Sequence, residues 1–480
     1  MGIQITFIDP PALGRQLPVE RVFGCTYSLY PIPNIFSLSA AAVLEKAGFR
    51  VNYIDMANER WGLNRVSDFF KKDDSRIYVF HSVNLSLEPD LKIHRLIRKS
   101  KENTAIVFTG PGPTYFIDYF LRDKNTFVAR GEPELTLLEL ARALSNNLKI
   151  SDITGLSFKD GERVINNPPR RLVDNLDELP FPARHLLKKD LYYNPKLAKL
   201  PFSAMQTSRN CSYRCMFCVP NSYNFARELE HRNYNQNNKP PVRMRSAENV
   251  ICEFELLKNE GYRSISIIDD QFLWDDPRTI SICEGIKGLG IEWGCLARVD
   301  RINENLASEL ASSGCKYVDL GVESFNQEVL DDARKDLKVE KIPEAISILK
   351  RNKILVKINL VLGISPLQTV ACIKRDIRLA RHLDVDAVMF SLATPFPGTD
   401  FYQRAKENHW FVKDGYHAES VQCKGIINYP GLSYRKLNQL VRLANLSFYF
   451  HPRFVFKNLK RLADPIGFYR SIVALKRKFF

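Results

Sequence analysis

The sequence lacks the long hydrophobic runs that mark membrane proteins. No uninterrupted apolar stretch approaches the roughly 18 residues that cross a bilayer, and no charged-then-apolar signal segment opens the chain. We therefore expect a cytoplasmic protein. With 45% apolar and 26% charged residues, the composition excludes disordered, collagen-like and coiled-coil proteins. At roughly 100 to 200 residues per domain, a chain of 480 residues predicts two to four domains.

Cysteines are few, and most stand alone. Three of the ten cluster in the segment Cys211-Ser212-Tyr213-Arg214-Cys215-Met216-Phe217-Cys218. In a cytoplasmic chain, grouped thiols indicate metal ligands rather than disulfides. The spacing Cys-x3-Cys-x2-Cys fits a 4Fe-4S cluster bound through three irons, which leaves one iron open to another ligand. A zinc site would need a fourth Cys or His at matching spacing, and none follows.

Acidic residues are scarce at the C-terminal end. The chain has 69 Lys and Arg against 54 Asp and Glu, and the stretch 435–480 has eleven Lys and Arg but one acid, Asp464. Aromatic and aliphatic residues alternate with these cations at nearly helical spacing. This pattern is typical of a segment in a membrane interface, here the inner face of the membrane. The alternative is an amphipathic helix packed on the preceding domain.

Two series of alternating strands and helices give the chain an α/β fold class. Residues 1–150 predict a doubly wound domain with a mostly parallel sheet. Residues 151–200, interrupted by prolines, predict a linker with a small hairpin. Residues 201–400 contain six β-α units of a partial barrel, with a site at the strand C-termini. Residues 401–480 predict a helical C-terminal region that ends in the basic amphipathic tail.

The three-cysteine segment, including Phe217 beside its last cysteine, resembles the cluster loop of radical S-adenosylmethionine enzymes. In that superfamily the amino and carboxylate groups of S-adenosylmethionine bind the open iron. An electron from the reduced cluster then cleaves the molecule to a 5′-deoxyadenosyl radical, which removes hydrogen from a substrate. The resemblance implies that Cys211, Cys215 and Cys218 bind the cluster. It also implies a one-electron donor such as ferredoxin or flavodoxin.

Polar residues at strand ends extend the resemblance. Asp269 and Asp270 follow the second strand, where the superfamily receives the methionine amino end; a turn or helix cap is the alternative. Arg298 and Glu323 end the next two strands, where the superfamily contacts the ribose or sulfonium. The alternative is that Arg298 and Glu323 pair with each other as a structural salt bridge.

Two further strand exits match the superfamily. Gly363, in Leu-Val-Leu-Gly-Ile-Ser-Pro, lies in a segment that resembles the one flanking the adenine. Ala393 and Thr394 open Ala-Thr-Pro-Phe-Pro-Gly-Thr, which resembles the sixth-strand exit of a large subgroup. The resemblance implies that all three residues contribute to cofactor binding.

The N-terminal series resembles the cobalamin-binding domain that precedes the barrel in one branch of the superfamily. The similar segments are 31–48, 109–114 and 129–134, and they imply cobalamin as a further cofactor. The sequence has no Asp-x-His-x-x-Gly segment, so no histidine is expected to bind the lower face of cobalamin. A bound cobalamin and a fold kept for packing or substrate shape both remain open.

The predicted function is a radical enzyme acting on a hydrophobic small molecule, such as a lipid, an isoprenoid or a tetrapyrrole. Methylation, cyclisation, oxidation and carbon-carbon coupling remain open as outcomes. Methylthiotransferases are disfavoured because Cys25 is the one N-terminal cysteine, whereas they carry a second cluster there. An RNA-modifying radical enzyme and a non-catalytic cobalamin or iron-sulfur regulator are the alternatives, and nucleic acid is the less favoured partner.

Overall fold

The structure is a computed structural model that describes residues 3–14, 17–413, 415–422 and 424–456. The chain divides into two compact units. The N-terminal unit contains the described residues up to 192 together with 208–212 and 220–245. The barrel unit contains residues 193–207, residues 213–219 and the described residues from 246 onward.

The N-terminal unit is built on a seven-stranded sheet with the order β2-β1-β3-β4-β5-β6-β7. Its strands are β1 Gln4–Asp9, β2 Arg50–Asp55, β3 Ile77–His81, β4 Ala105–Thr109, β5 Thr126–Ala129, β6 Leu156–Asp160 and β7 Arg163–Asn166. The first five run parallel, and β6 and β7 are antiparallel. The hairpin predicted within the linker therefore extends this sheet.

Helices connect the parallel strands of the N-terminal unit. They are α1 Ile35–Lys46, α2 Leu63–Lys72, α3 Leu87–Ser100, α4 Pro111–Tyr115, α5 Ile117–Phe120 and α6 Pro133–Asn146. Every residue of β3, β4 and β5 is buried, as expected for parallel strands covered on both faces. The order of β1 to β5 puts the topological switch point between β1 and β3, where doubly wound sheets bind ligands.

The barrel unit contains six parallel strands in the order β15-β14-β13-β12-β11-β8, so each strand pairs with its neighbours in sequence. The strands are β8 Phe202–Met205, β11 Ser264–Ile267, β12 Glu292–Arg298, β13 Cys315–Glu323, β14 Leu355–Leu362 and β15 Ala387–Leu392. Two short strands of the N-terminal unit, β9 Ser208–Arg209 and β10 Arg243–Met244, lie between β8 and β11 in the sequence, with α7 Ser222–Tyr234.

The helices of the barrel unit follow its strands. They are α8 Ala247–Asn259, α9 Asp276–Ile286, α10 Glu304–Ser312, α11 Gln327–Asp332, α12 Lys341–Arg351, α13 Val370–His382, α14 Asp400–Glu407 and α15 Tyr434–Tyr449. Helix α15 packs against α13 and β15. The first part of the basic tail is thus a structural helix, and the remainder, 457–480, lies outside the described residues. No helix in the described part of the chain combines the length and apolarity needed to cross a membrane.

Candidate functional site

The residue that leads from β8 into the three-cysteine loop is held from two sides. Asp269, buried at the exit of β11, accepts hydrogen bonds from the Thr207 backbone nitrogen and Oγ1, both at 2.6 Å. Arg278 on α9 donates to the Thr207 carbonyl oxygen at 3.2 Å. Asp269 therefore positions the entry to the loop. Asp270 follows it, half-buried, and the S-adenosylmethionine contacts of both carboxylates stay predictions.

The loop itself contains three partly exposed cysteines, Cys211, Cys215 and Cys218, none of which is in a disulfide. Its second half is a tight turn, since the Cys218 backbone nitrogen donates to the Cys215 carbonyl oxygen at 3.2 Å. Met216 anchors this turn, because its N–H donates to the Ala333 carbonyl at 3.1 Å. Partly exposed thiols on an anchored loop fit a cluster that binds one cysteine per iron.

Within the described ranges, no three His, Cys, Asp or Glu side chains come together closely enough to hold one ion. A 4Fe-4S cluster makes a different demand, because its ligands bind separate irons at different corners. Phe217, between the last two cysteines, packs against the hydrophobic core of the barrel unit.

An aromatic and cationic layer lies over the loop within the barrel unit. The Tyr213 ring stacks on Trp274 with centroids 5.8 Å apart, and the Arg298 guanidinium carbon lies 3.5 Å from the Tyr213 centroid. Arg298 Nε also donates to Asp300 at 2.9 Å. Burial of Arg298 would lower its pKa, but the Asp300 carboxylate outweighs burial and raises it. Arg298 therefore stays charged above the loop.

Glu323 pairs with Lys335 rather than with Arg298. The Lys335 Nζ donates to Glu323 Oε1 at 2.9 Å, and both side chains are buried. Burial would lower the pKa of Lys335, but the Glu323 carboxylate outweighs it and raises the pKa. The predicted alternative of an Arg298–Glu323 salt bridge is wrong, because each of the two has another partner. Sequence reasoning missed Lys335, which lies in no motif that it considered.

The backbone at Glu323 is unusual for a residue with a side chain. Its φ is +68°, a left-handed conformation that costs most L-residues energy and concentrates at functional positions. A Cβ at Gly321 would come within 2.8 Å of both Glu323 Oε1 and Lys335 Nζ. Glycine at 321 thus makes room for the pair.

The other predicted strand exits are rigidly held. Gly363 has a φ of +80°, and its N–H donates to Gln368 Oε1 at 2.6 Å. Its carbonyl oxygen accepts from the Tyr429 hydroxyl at 2.8 Å. Ala393 and Thr394 are buried beyond the end of β15. Their cofactor contacts, like that of Gly363, stay predictions.

A buried ion network holds the residues that precede the first cysteine. Arg209, in the N-terminal unit, contacts Glu134 at 2.7 Å and Glu132 at 3.2 Å. Glu132 also pairs with Arg227 at 3.2 Å and with Arg243. Burial would raise the pKa of Glu132, but the three guanidinium groups outweigh it and lower the pKa to about 2. Sequence reasoning missed Arg209, although it stands two residues before Cys211.

The carboxyl edge of the N-terminal sheet is covered by the unit's own residues. At the carboxyl ends of β1 and β2, the loop 17–34 lines a cavity of about 20 Å³ together with Asp9 and Asp55. At the end of β3, the His81 Nε2 lies 2.8 Å from Ser222 Oγ, and its Nδ1 lies 3.2 Å from Thr109 Oγ1. Burial lowers the pKa of His81 to about 3, so the imidazole is neutral.

The loop 17–34 contains Glu20, whose carboxyl group should make the stability of the protein depend on pH. Burial raises the pKa of Glu20 to about 7 from an ordinary value of 4.5. Its stabilising contribution is complete below pH 4.5 and is lost as the pH rises through 7. We expect the unfolding free energy of the wild type, relative to Glu20→Gln, to fall by roughly 3 kcal/mol over that range. Denaturant titrations at both pH values measure it, and a difference that is independent of pH would contradict it.

Comparison with known proteins finds a family model that matches the middle of the chain. Residues 205–365 match the Radical SAM superfamily model. Over 462 residues the chain is 28% identical to an uncharacterized methyltransferase of Pyrococcus horikoshii, covering 95% of each protein. It is 25% identical to the anaerobic magnesium-protoporphyrin IX monomethyl ester cyclase of a Synechocystis species, covering 84% of the chain and 78% of that relative.

Solved structures match both units. The radical S-adenosylmethionine methyltransferase TsrM from Kitasatospora setae, solved with cobalamin and a 4Fe-4S cluster, matches with a TM-score of 0.65 and 17% identity, covering 92% of this chain and 82% of that one. The cobalamin-dependent radical enzyme OxsB, solved with aqua-cobalamin and S-adenosylmethionine, matches with a TM-score of 0.71 and 16% identity, covering 99% and 72%. The predicted fold class is thereby confirmed. Residues 205–365 thus match a superfamily model that implies a 4Fe-4S cluster and S-adenosylmethionine, and the fold of the chain is similar to those of two cobalamin-dependent radical enzymes.

Proposed function

We propose that the enzyme abstracts hydrogen from a hydrophobic small molecule, a lipid, an isoprenoid or a tetrapyrrole, and that methylation, cyclisation or carbon-carbon bond formation follows. The observation that carries this proposal is the anchored loop with Cys211, Cys215 and Cys218 at the carboxyl end of β8. When bound there, the cluster supplies one-electron cleavage of S-adenosylmethionine. The Synechocystis relative, named as a cyclase of a protoporphyrin ester, supports a hydrophobic substrate.

The chain's own residues prepare the loop for this chemistry. Asp269 and Arg278 fix Thr207, so the loop begins from a rigid point. Tyr213 and Trp274 place apolar rings beside it, which limits access of water. Cys215 is among the groups that raise the pKa of Arg298 and of Lys335, so both cations lie near the middle cysteine of the loop.

We also propose cobalamin as a cofactor of the N-terminal unit. TsrM and OxsB support this, because both were solved with a cobalamin and share the fold. Both ring nitrogens of His81 already contact hydroxyl groups. Electron paramagnetic resonance of the cob(II)alamin form should therefore lack splitting from a protein histidine, and such splitting would contradict the expectation that no histidine binds the lower face of cobalamin.

An anionic membrane surface is the proposed source of the substrate. Helix α15 buries Leu437, Leu440, Val441, Ala444 and Phe448 on the barrel unit. Its other face exposes Leu443 and Leu446, and Phe450 and Phe456 follow, 63% and 71% exposed. Arg442 and Arg453 are exposed among them. Exposed apolar residues interleaved with cations suit a headgroup layer, where each cation adds about 1 kcal/mol near acidic lipid.

Charge placed on this face should release the protein from membranes. We expect Leu443→Glu combined with Phe450→Glu and Phe456→Glu to reduce sedimentation with acidic liposomes at least about tenfold, because it removes apolar contact and adds repulsion. Truncation near 445 is a poorer test, since it removes buried Phe448 and the Tyr449 hydroxyl that donates to Val388. Leu148→Glu, at an exposed position of the N-terminal unit, is the matched control. If the wild-type protein does not sediment with acidic liposomes at physiological salt, membrane binding is refuted.

The substrate class itself is tested by turnover. Anaerobically reconstituted enzyme is incubated with S-adenosylmethionine, a reductant and lipid extract, and the products are followed by mass spectrometry. We expect a lipid-soluble compound that gains a methylene unit or loses two hydrogens, with no such change in the Cys215→Ala variant. A parallel incubation with total RNA tests the RNA-modifying alternative, and modified nucleosides without lipid products would favour it.

A further inference from the structure

One face of the barrel strands is polar and partly open. On β14, Val356, Ile358, Leu360 and Leu362 are buried in the core shared with the helices. The alternating residues Lys357, Asn359 and Val361 point to the opposite face and keep part of their exposure. This second face lines the lumen of the partial barrel, below the carboxyl ends of its strands.

Three charged side chains meet on this face. Lys357 lies directly opposite Asp319 in the register of β13 and β14, and its Nζ is 2.7 Å from Asp319 Oδ2. Lys196, from the segment before β8, places its Nζ 2.7 Å from the same oxygen. Asn194 holds that segment in place, since its amide donates to Ser266 Oγ at 2.9 Å. We call Lys196, Asp319 and Lys357 the lumen triad.

The lumen triad contains two positive charges and one negative charge. Two ammonium groups share one carboxylate oxygen, so the triad carries a net positive charge, part of which the Tyr317 ring offsets at 3.6 Å from Lys196 Nζ. Each ammonium has three donor hydrogens and gives one to Asp319. The side chains of Lys196 and Lys357 remain 19% and 22% exposed. Burial and the neighbouring Lys357 lower the pKa of Lys196 to about 8.

Buried polar atoms in and beside the lumen triad have unsatisfied hydrogen-bonding capacity. Asp319 Oδ1, Asn359 Oδ1 and Ser391 Oγ are buried and have no hydrogen-bond partner in the described structure. They lie on β13, β14 and β15, on a diagonal of the same face. Buried polar groups are rarely left unpaired, and natural sites of this kind are completed by water or ligand.

We propose that the lumen triad binds an oxyanion of the substrate, a carboxylate or a phosphate ester, through Lys196 and Lys357. Hydroxyl or amine groups next to that oxyanion would donate to the unpartnered oxygens of Asp319, Asn359 and Ser391. This inference rests on the proposed function and narrows it: the hydrophobic substrate is an amphiphilic acid whose anionic end enters the barrel. An entirely apolar hydrocarbon would leave the excess charge and all three oxygens unsatisfied.

Protection of Lys196 from chemical modification tests the anion site. Full-length protein is reductively methylated near pH 8, close to the Lys196 pKa, and each lysine is followed by peptide mass spectrometry. Inorganic phosphate, acetate and chloride are compared at equal ionic strength. We expect phosphate or acetate to slow methylation of Lys196 several-fold relative to chloride, while exposed Lys338 is unaffected. Protection by phosphate alone indicates a phosphate ester, and protection by acetate alone indicates a carboxylate.

Variants separate a binding site from a structural ion cluster. Lys357→Met should remove the protection, Lys357→Arg should retain part of it, and Lys374→Met, at an exposed position of α13, should leave it intact. Equal methylation rates in all three salts in the wild type would overturn the proposal, whether or not the variants fold. Cluster assembly and S-adenosylmethionine cleavage are measured separately. Their loss with Lys196 protection intact would refute the proposed function and not the anion site.

Discussion

Replacing Cys215 by alanine is expected to abolish the iron-sulfur cluster. The wild type should contain about four irons per chain, because one group of cysteines has ligand spacing. Removing the middle thiol leaves two protein ligands on a loop that needs three, so the cluster absorption should disappear. The loop should keep its place, since its anchors involve Thr207 and the Met216 backbone rather than the thiol.

Controls distinguish loss of a ligand from loss of the fold. Cys252→Ala, at an exposed cysteine on α8, should retain the full iron content. Circular dichroism should show both variants folded. A second cluster would contradict the single-cluster prediction. It would be revealed by about eight irons per chain and by a residual cluster in a variant without Cys211, Cys215 and Cys218.

Glu132→Gln should produce the largest loss of stability. Glu132 is buried and opposes Arg209, Arg227 and Arg243, so its neutralisation leaves cationic groups uncompensated. Breaking a buried ion pair by removing one partner costs about 3 to 5 kcal/mol. We expect at least that loss in the unfolding free energy by denaturant titration. Because Arg209 precedes Cys211 by two residues, the yield of assembled cluster should fall as well.

The matched control is Glu162→Gln, at an exposed turn of the β6–β7 hairpin. It should change the unfolding free energy by less than about 0.5 kcal/mol. Glu132→Asp keeps the charge and should recover part of the loss. If Glu132→Gln unfolds with wild-type free energy, the network does not stabilise the N-terminal unit, and its role in holding Arg209 fails too.

The strands could be predicted because their signal is local. The six β-α units predicted in residues 201–400 correspond to the six parallel strands of the barrel unit, which include β11 Ser264–Ile267 and β12 Glu292–Arg298. Apolar runs of this length, bounded by polar or glycine residues, are typical of buried parallel strands. The three-cysteine loop could be predicted equally well, because all its candidate ligands lie within eight residues of sequence.

The partners of the site residues could not be predicted, because they are set by tertiary contacts. Lys335, in a loop, donates a hydrogen bond to Glu323, and Arg298 donates to Asp300, two residues further along the chain. The Arg298–Glu323 pair that the sequence left open therefore does not form. Lys196 belongs to a segment predicted as linker, yet it contacts Asp319 more than a hundred residues later. Nothing in the local sequence distinguishes these lysines from solvated ones.

The basic tail shows how composition leaves two structures open. Its alternating apolar and cationic residues fit both a packed helix and a membrane face. In the described part, α15 is a packed helix whose other face still exposes Leu443 and Leu446. The packed-helix interpretation therefore holds for the buried face, and membrane contact of the exposed face stays a proposal.

The most direct measurement of the central claim follows S-adenosylmethionine in the reduced, reconstituted enzyme. The account predicts cleavage to 5′-deoxyadenosine and methionine in equal amounts, slow without substrate and absent in Cys215→Ala. Intact S-adenosylmethionine in the presence of a fully assembled and reduced cluster would contradict it.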